Sequence, residues 1–140
     1  MKRFAPILAL LMCALTACAS REQNSLYQAL GGEVGVQRLV DEVVRELHAD
    51  KRINALFVNT DDAYFKARLI EQICELSGGG CEYTGLAMEE AHSGMGLTET
   101  DFNYFVEDTR IGMTRAGISI GAQNRLLALL QPMHGDTVHK

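Results

Sequence analysis

The sequence predicts an all-α domain, on three observations. Several segments repeat apolar residues with a period near 3.6, none sustains the alternation of a strand, and cap-forming residues open these segments while glycines close them. Ser25-Leu26-Tyr27-Gln28 has the form of a capping box that opens a short helix, and Gly31-Gly32 ends it. Val36, Leu39, Val40, Val43, Val44 and Leu47 then fall at i, i+3, i+4, i+7, i+8 and i+11, the wide apolar stripe of a long helix. Residues 50–57 read as a tight connection of roughly one helical turn.

Thr60 or Asp61 caps the next helix, whose inner face carries Phe65, Leu69, Gln72, Ile73 and Leu76. Gly78-Gly79-Gly80 breaks it. A loosely patterned stretch follows, with a short helix about Met88 to Ser93. Thr98-Glu99-Thr100-Asp101 resembles a second capping box, opening a helix with Phe102, Phe105, Val106, Thr109 and Met113 inward; Gly117 closes it. The last helix runs from about Ser119 to Met133, with Leu126, Leu127, Leu130 and Met133 inward, and residues 136–140 form a polar tail. The glycine-flanked stretch 77–97 is long for a plain bundle, and such a loop inside a compact domain usually carries function.

A chain of 140 residues has room for one domain. Its two prolines and balanced composition exclude a collagen-like or proline-rich chain. The formal charge is −5 and no run of Lys or Arg exceeds two, which argues against nucleic acid as a partner.

The first residues read as an address. Lys2 and Arg3 precede an apolar run from Phe4 to Leu15, too short to span a bilayer comfortably and suited to a secretory leader. Leu15-Thr16-Ala17-Cys18 looks like the lipobox of bacterial lipoproteins. That resemblance implies a signal peptide over 1–17, lipidation of Cys18, and anchorage of an exported protein to a membrane by several acyl chains. Ala19, rather than Asp, points to the outer membrane, with the domain facing the periplasm. The alternatives are a leader with an incidental Cys, or an uncleaved anchor. Loss of residues 1–17 removes Lys2 and Arg3 and takes the net charge from −5 to −7. Residues 18–24 comprise Cys18 and a short linker, and the six residues from Ala19 to Asn24 reach about 20 Å at full extension, so the domain over 25–135 would sit close to the bilayer.

Ser25-Leu26-Tyr27, Gly31-Gly32, Leu56-Phe57, Gly78-Gly79, Tyr83-Thr84-Gly85, Ala91-His92 and Gly96-Leu97-Thr98 with Phe102 follow one another in an order and spacing that resemble the group I truncated haemoglobins. The resemblance covers about residues 25–135. It implies a shortened globin, two helix pairs packed as a two-over-two sandwich around haem b. His92 matches the proximal ligand of the iron, which leaves the other axial face open to a diatomic gas. Phe57 matches the aromatic residue that packs on the porphyrin, Arg68 a basic residue that pairs with a haem propionate, and Tyr83 lies in the matching loop motif. Without the resemblance, His92 would read as an ordinary histidine on a short helix. His48 sits on a charge-rich helix, and His134 and His139 lie in the polar end without an assigned role.

The sequence departs from the family on the distal side. Many members carry a Tyr where this chain has Val44 and a Gln where it has Leu69, and Phe65 stands one turn earlier. A hydrogen bond to a ligand bearing partial charge contributes roughly 1.5–3 kcal/mol. An apolar wall of Val44, Phe65 and Leu69 therefore predicts weak retention of oxygen and a bias toward carbon monoxide or nitric oxide. Gln72, one turn beyond Leu69, could still reach in; Tyr64, about 100° around the helix from Phe65, points elsewhere.

The favoured reading is a haem protein that binds O2, CO or NO for carriage, scavenging or sensing, more a binder than an enzyme. The competing readings are a haem enzyme, such as a nitric oxide dioxygenase or reductase or a peroxidase-like detoxifier, and a haem-free helical interaction lipoprotein. Redox turnover would need an unidentified electron donor, because the chain carries no flavin or nicotinamide fingerprint. Cys74 and Cys81 flank the glycine turn and, in an oxidising compartment, could close a short loop; two free thiols are the alternative.

Overall fold

The computed structural model describes residues 25–140; the expected leader, Cys18 and the expected linker lie outside the described residues. Among those described there are six α-helices and no strand. They are α1 (Leu26–Ala29), α2 (Gly32–Ala49), α3 (Asp62–Leu76), α4 (Met88–His92), α5 (Glu99–Arg115) and α6 (Ile120–Leu130). A 3-10 turn, Asn54–Phe57, links α2 to α3, and a second, Gln131–Asp136, follows α6.

The caps form much as the sequence predicts. The Ser25 hydroxyl accepts from Gln28 N, Asp61 accepts from Ala63 N and Tyr64 N, and Ser119 accepts from Ala122 N. Thr98 and Asp101 close a full reciprocal capping box. Asp61, rather than Thr60, caps α3, because its carboxylate reaches two backbone N–H groups at once. Between α1 and α2 the chain turns through Gly31 at φ +93°, a left-handed conformation that costs a side-chain-bearing residue.

All six apolar stripe residues of α2, from Val36 to Leu47, are buried, none more than 3 % exposed. They meet α5 most extensively, and α3 next. The pairs α2–α3 and α5–α6 form two layers joined chiefly through α2 and α5, the two-over-two arrangement. The crossing of α2 and α5 is close because Gly112 lies there: a Cβ at that position would stand 2.7 Å from Val43 N. Met113, Leu126 and Ile73 complete the core. The buried Gln123 amide donates to Ile118 O at 2.9 Å and to the Thr114 hydroxyl at 3.2 Å, fixing the turn from α5 into α6.

Two ties close the periphery. Cys74 and Cys81 are joined in a disulfide, Cα atoms 5.6 Å apart, binding the end of α3 to the loop that leads to α4. Tyr27 N donates to Ser77 O at 3.0 Å, which docks α1 against the same end of α3.

Three inward assignments on the last helix change meaning. Leu126 enters the core, whereas Leu127, Leu130 and Met133 are only half-buried and line a cavity. Residues 136–140, expected as a polar tail, pack back onto the domain: Val138 is buried and His139 N donates to Leu97 O. A local apolar period cannot foretell this docking, since the partners lie about forty residues away in sequence.

Candidate functional site

Both 3-10 turns, helices α3 to α6 and the loop between α3 and α4 enclose a cavity of about 610 Å³ with a mostly apolar wall. Phe57 of the first 3-10 turn, Phe65, Arg68 and Leu69 of α3, Tyr83 of the loop and His92 of α4 all line it. Six of the seven pocket residues expected from the sequence are thus brought together. The seventh, Val44, is not among them: it is 3 % exposed and lies in the core cluster. A valine extends only two methyl groups from its Cβ, so its side chain ends within the packed interior of α2 and does not reach the cavity.

The aromatic corner is well supported. The rings of Phe57 and Phe65 are 5.7 Å apart and tilted by 41°, a favourable aromatic separation. His48 stands edge-on to Phe57 at 6.5 Å, and its Nε2 lies 2.9 Å from both carboxylate oxygens of Asp62. That contact joins the last turn of α2 to the first turn of α3 behind the corner. His48 therefore has a structural partner rather than a place in the cavity.

His92 is the chemically distinctive residue. It is half-buried at the end of α4, with Nδ1 2.7 Å from Met88 O. A carbonyl oxygen only accepts, so Nδ1 carries the proton and donates. In the neutral ring, Nε2 is then left with its lone pair, and it makes no hydrogen bond among the described residues. A backbone carbonyl holding one ring nitrogen is the usual way a metal-binding imidazole is fixed in tautomer and orientation.

Most of the charged and phenolic groups around the cavity already have partners. Arg68 pairs with Glu71 at 2.7 Å, donates to the Thr84 hydroxyl, and has its guanidinium 5.4 Å from the Tyr64 ring centre. Thr84 donates from both its N–H and its hydroxyl to Glu71, each at 3.0 Å. These bonds, the backbone one foremost, hold the Glu71 carboxyl below the usual carboxylate range. One buried donor, Arg68 Nε, lacks a protein partner. The Tyr83 hydroxyl donates to Leu86 O at 2.9 Å, so its ring faces the cavity while its polar end is spent. Burial, with Tyr64 nearby, pushes the Tyr83 phenol up. Asp61 and Asp101 serve as helix caps.

Gln72 does reach the cavity, as the sequence allowed, but its Nε2 lies 3.3 Å from Met88 Sδ and 3.5 Å from Met133 Sδ. The sequence places Met88 only at the start of a short helix and Met133 only on the inward face of the last one, neither in a cavity. Met88, four residues before His92, could have been placed there, since i and i+4 share a helix face. Tyr64 is 58 % exposed and stands at the rim. The cavity thus offers a planar apolar guest two aromatic rings, one available imidazole nitrogen and one buried unpaired cationic donor. It offers no uncommitted acid or base on the α3 wall.

Residues 25–139 match the family model described as bacterial-like globin. A group 1 truncated hemoglobin from Tetrahymena pyriformis is 27% identical over 117 residues, covering 84% of this chain and 97% of that protein. The crystal structure of truncated hemoglobin from Tetrahymena pyriformis in its Fe(III) form superposes with a TM-score of 0.80 at 26% identity, over 84% of this chain and 100% of that one. The 2/2 hemoglobin from Synechococcus sp. PCC 7002, in the cyanomet state with covalently attached heme, gives a TM-score of 0.76 at 26% identity, over 83% and 99% of the two chains.

Proposed function

The chain belongs to the bacterial-like globins, and from that premise we propose that it holds haem b in the cavity and binds a diatomic gas. When bound, the haem would supply the iron that takes the gas. His92 Nε2 is the protein ligand to that iron. Phe57, Phe65 and Leu69 would cover the macrocycle and exclude water, and Arg68 would meet an acidic side group of the haem. The single observation that carries the reading is the His92 imidazole, fixed through Nδ1 to Met88 O on the wall of an apolar cavity of about 610 Å³.

Phe65 and Leu69 place no donor over the gas position, and the Gln72 amide is engaged with two sulfurs. The protein therefore favours carbon monoxide or nitric oxide, or releases oxygen quickly. Carriage, scavenging or sensing fits this wall better than peroxidase-like or dioxygenase chemistry, which needs an acid–base group near the reacting atoms or a firmly held oxygen. At the cell envelope, the lipid on Cys18 tethers the domain to the membrane, and an electron donor is required only to keep the iron reduced.

The test is the absorption spectrum of the reduced protein before and after carbon monoxide. A Soret band that moves on adding the gas, and that is lost in His92→Ala, is the expected result. A colourless protein after hemin addition overturns it. For the anchor, Cys18→Ser should shift the protein from the membrane to the soluble fraction of a cell lysate.

A further inference from the structure

The segment that carries His92 has little internal support. Helix α4 has five residues and no side-chain cap at its N-terminus, and so short a helix does not hold itself. Its support comes from the far end of the chain. His139 N donates to Leu97 O at 2.9 Å, and Gly96 N donates to Lys140 O at 3.2 Å. Lys140 Nζ lies 3.7 Å from Glu89 on α4. Just upstream, His134 Nε2 is 2.6 Å from Glu99 and its ring stands edge-on to Phe102 at 4.7 Å. Between these ties Val138 is buried at 6 % exposure, and Met133 and Thr137 line the cavity.

His139 sits at φ +60°, the one residue other than glycine in the left-handed region among those described. A side-chain-bearing residue persists there only when its surroundings hold it. Here the hold is the bond to Leu97 on one side and the buried Val138 on the other.

We infer that residues 133–140 form a strap whose main-chain pairing with Gly96 and Leu97 positions the His92 segment. The inference rests on the reading of His92 as the iron ligand. The strap touches neither iron nor gas; it sets where the imidazole stands and how far it can give. Gly96 and Leu97 follow α4 after Ser93, Gly94 and Met95, and Met95 N donates to His92 O at 3.2 Å, so a pull on either reaches His92 through this short bonded turn.

The test compares His139→Pro, which removes the N–H and cannot adopt a positive φ, with His139→Gly, which keeps the N–H and adopts it freely. In protein prepared without haem, amide exchange across residues 88–97 should accelerate in the proline variant and stay parental in the glycine one. In the reduced haem-loaded protein, the proline variant should shift the iron–imidazole stretching band and lose hemin about tenfold faster, the factor that ~1.4 kcal/mol represents. The glycine variant should restore both. Glu99→Gln, an exposed change that weakens the His134 tie, should move the same readouts less and in the same direction, and serves if the proline variant does not fold.

Parental exchange over 88–97 in both His139→Pro and Glu99→Gln overturns the strap, as does an unmoved stretching band in a proline variant that binds hemin. Failure of the parent to take up hemin overturns the His92 reading alone, because the exchange experiment needs no haem.

Discussion

Replacing Leu69 by Gln puts a donor where the cavity wall lacks one. Leu69 lines the cavity from α3, one turn beyond Phe65 and one short of Gln72. Gln72 cannot stand in, since its amide lies 3.3 Å and 3.5 Å from the sulfurs of Met88 and Met133. A hydrogen bond from the new amide to a gas carrying partial negative charge contributes about 1.5–3 kcal/mol. That is roughly one to two decades in equilibrium. The burial cost of the amide, about 1–3 kcal/mol without a partner, falls chiefly on folding stability, because the group is buried whether or not gas is present. Flash photolysis or stopped-flow mixing should therefore show oxygen release slowed about ten- to hundredfold, by the same hydrogen-bond range, with carbon monoxide release little changed. Oxygen release at the parental rate, or an equal change for both gases, would refute the apolar-wall argument.

Other expectations concern the scaffold. Gly112→Ala places a Cβ 2.7 Å from Val43 N and 2.8 Å from Val43 Cα, against backbone that has no free side chain to move aside. It should lower stability by about 1–3 kcal/mol in thermal unfolding; an unchanged midpoint would mean the helices are not in such close contact. Opening the Cys74–Cys81 disulfide with reductant should cost about 2–3 kcal/mol for so short a loop. Thiol titration of the folded domain should find neither cysteine reactive before reductant and both after unfolding with it; a reactive thiol at the outset contradicts the bridge. Asp108 is 2 % exposed with Oδ2 unpaired, and burial foremost, then Asp50, pushes its carboxyl up. The folded state therefore binds the proton more tightly than the unfolded one. That contribution is complete below the ordinary aspartate value, about 4, and is lost as pH rises through the raised folded value. Asp108→Asn, neutral throughout, should stabilise the protein at pH 7, with the gain shrinking toward pH 4. A gain in urea midpoint that is equal at both pH values would refute this.

The helical scaffold is legible because its signals are local. The stripe from Val36 to Leu47, the Asp61 and Thr98 caps and the Gly31 turn each act within a few residues. Much of the cavity is legible through resemblance, with Phe57, Phe65, Arg68, Leu69, Tyr83 and His92 all on its wall. Val44 misled because spacing gives a register position and not the reach of a short side chain. Leu127, Leu130 and Met133 show the apolar period of a core face, yet they face a cavity; periodicity does not distinguish a packed interior from a binding site. Arg68 carries the expected charge, and Glu71, three residues on in the same helix, is a local partner, but Thr84 reaches both of them from a loop that no local pattern connects to α3. The packing of Val138 and His139 against the far loop had no local signal at all.

The most direct measurement is hemin titration of His92→Gly, with and without added imidazole, followed by the visible spectrum of the reduced form. If His92 Nε2 is the iron's protein ligand, the variant should lose the parental spectrum and regain it when free imidazole fills the space left by the side chain. A variant whose spectrum equals the parent's without imidazole would place the ligand on another residue and contradict the account.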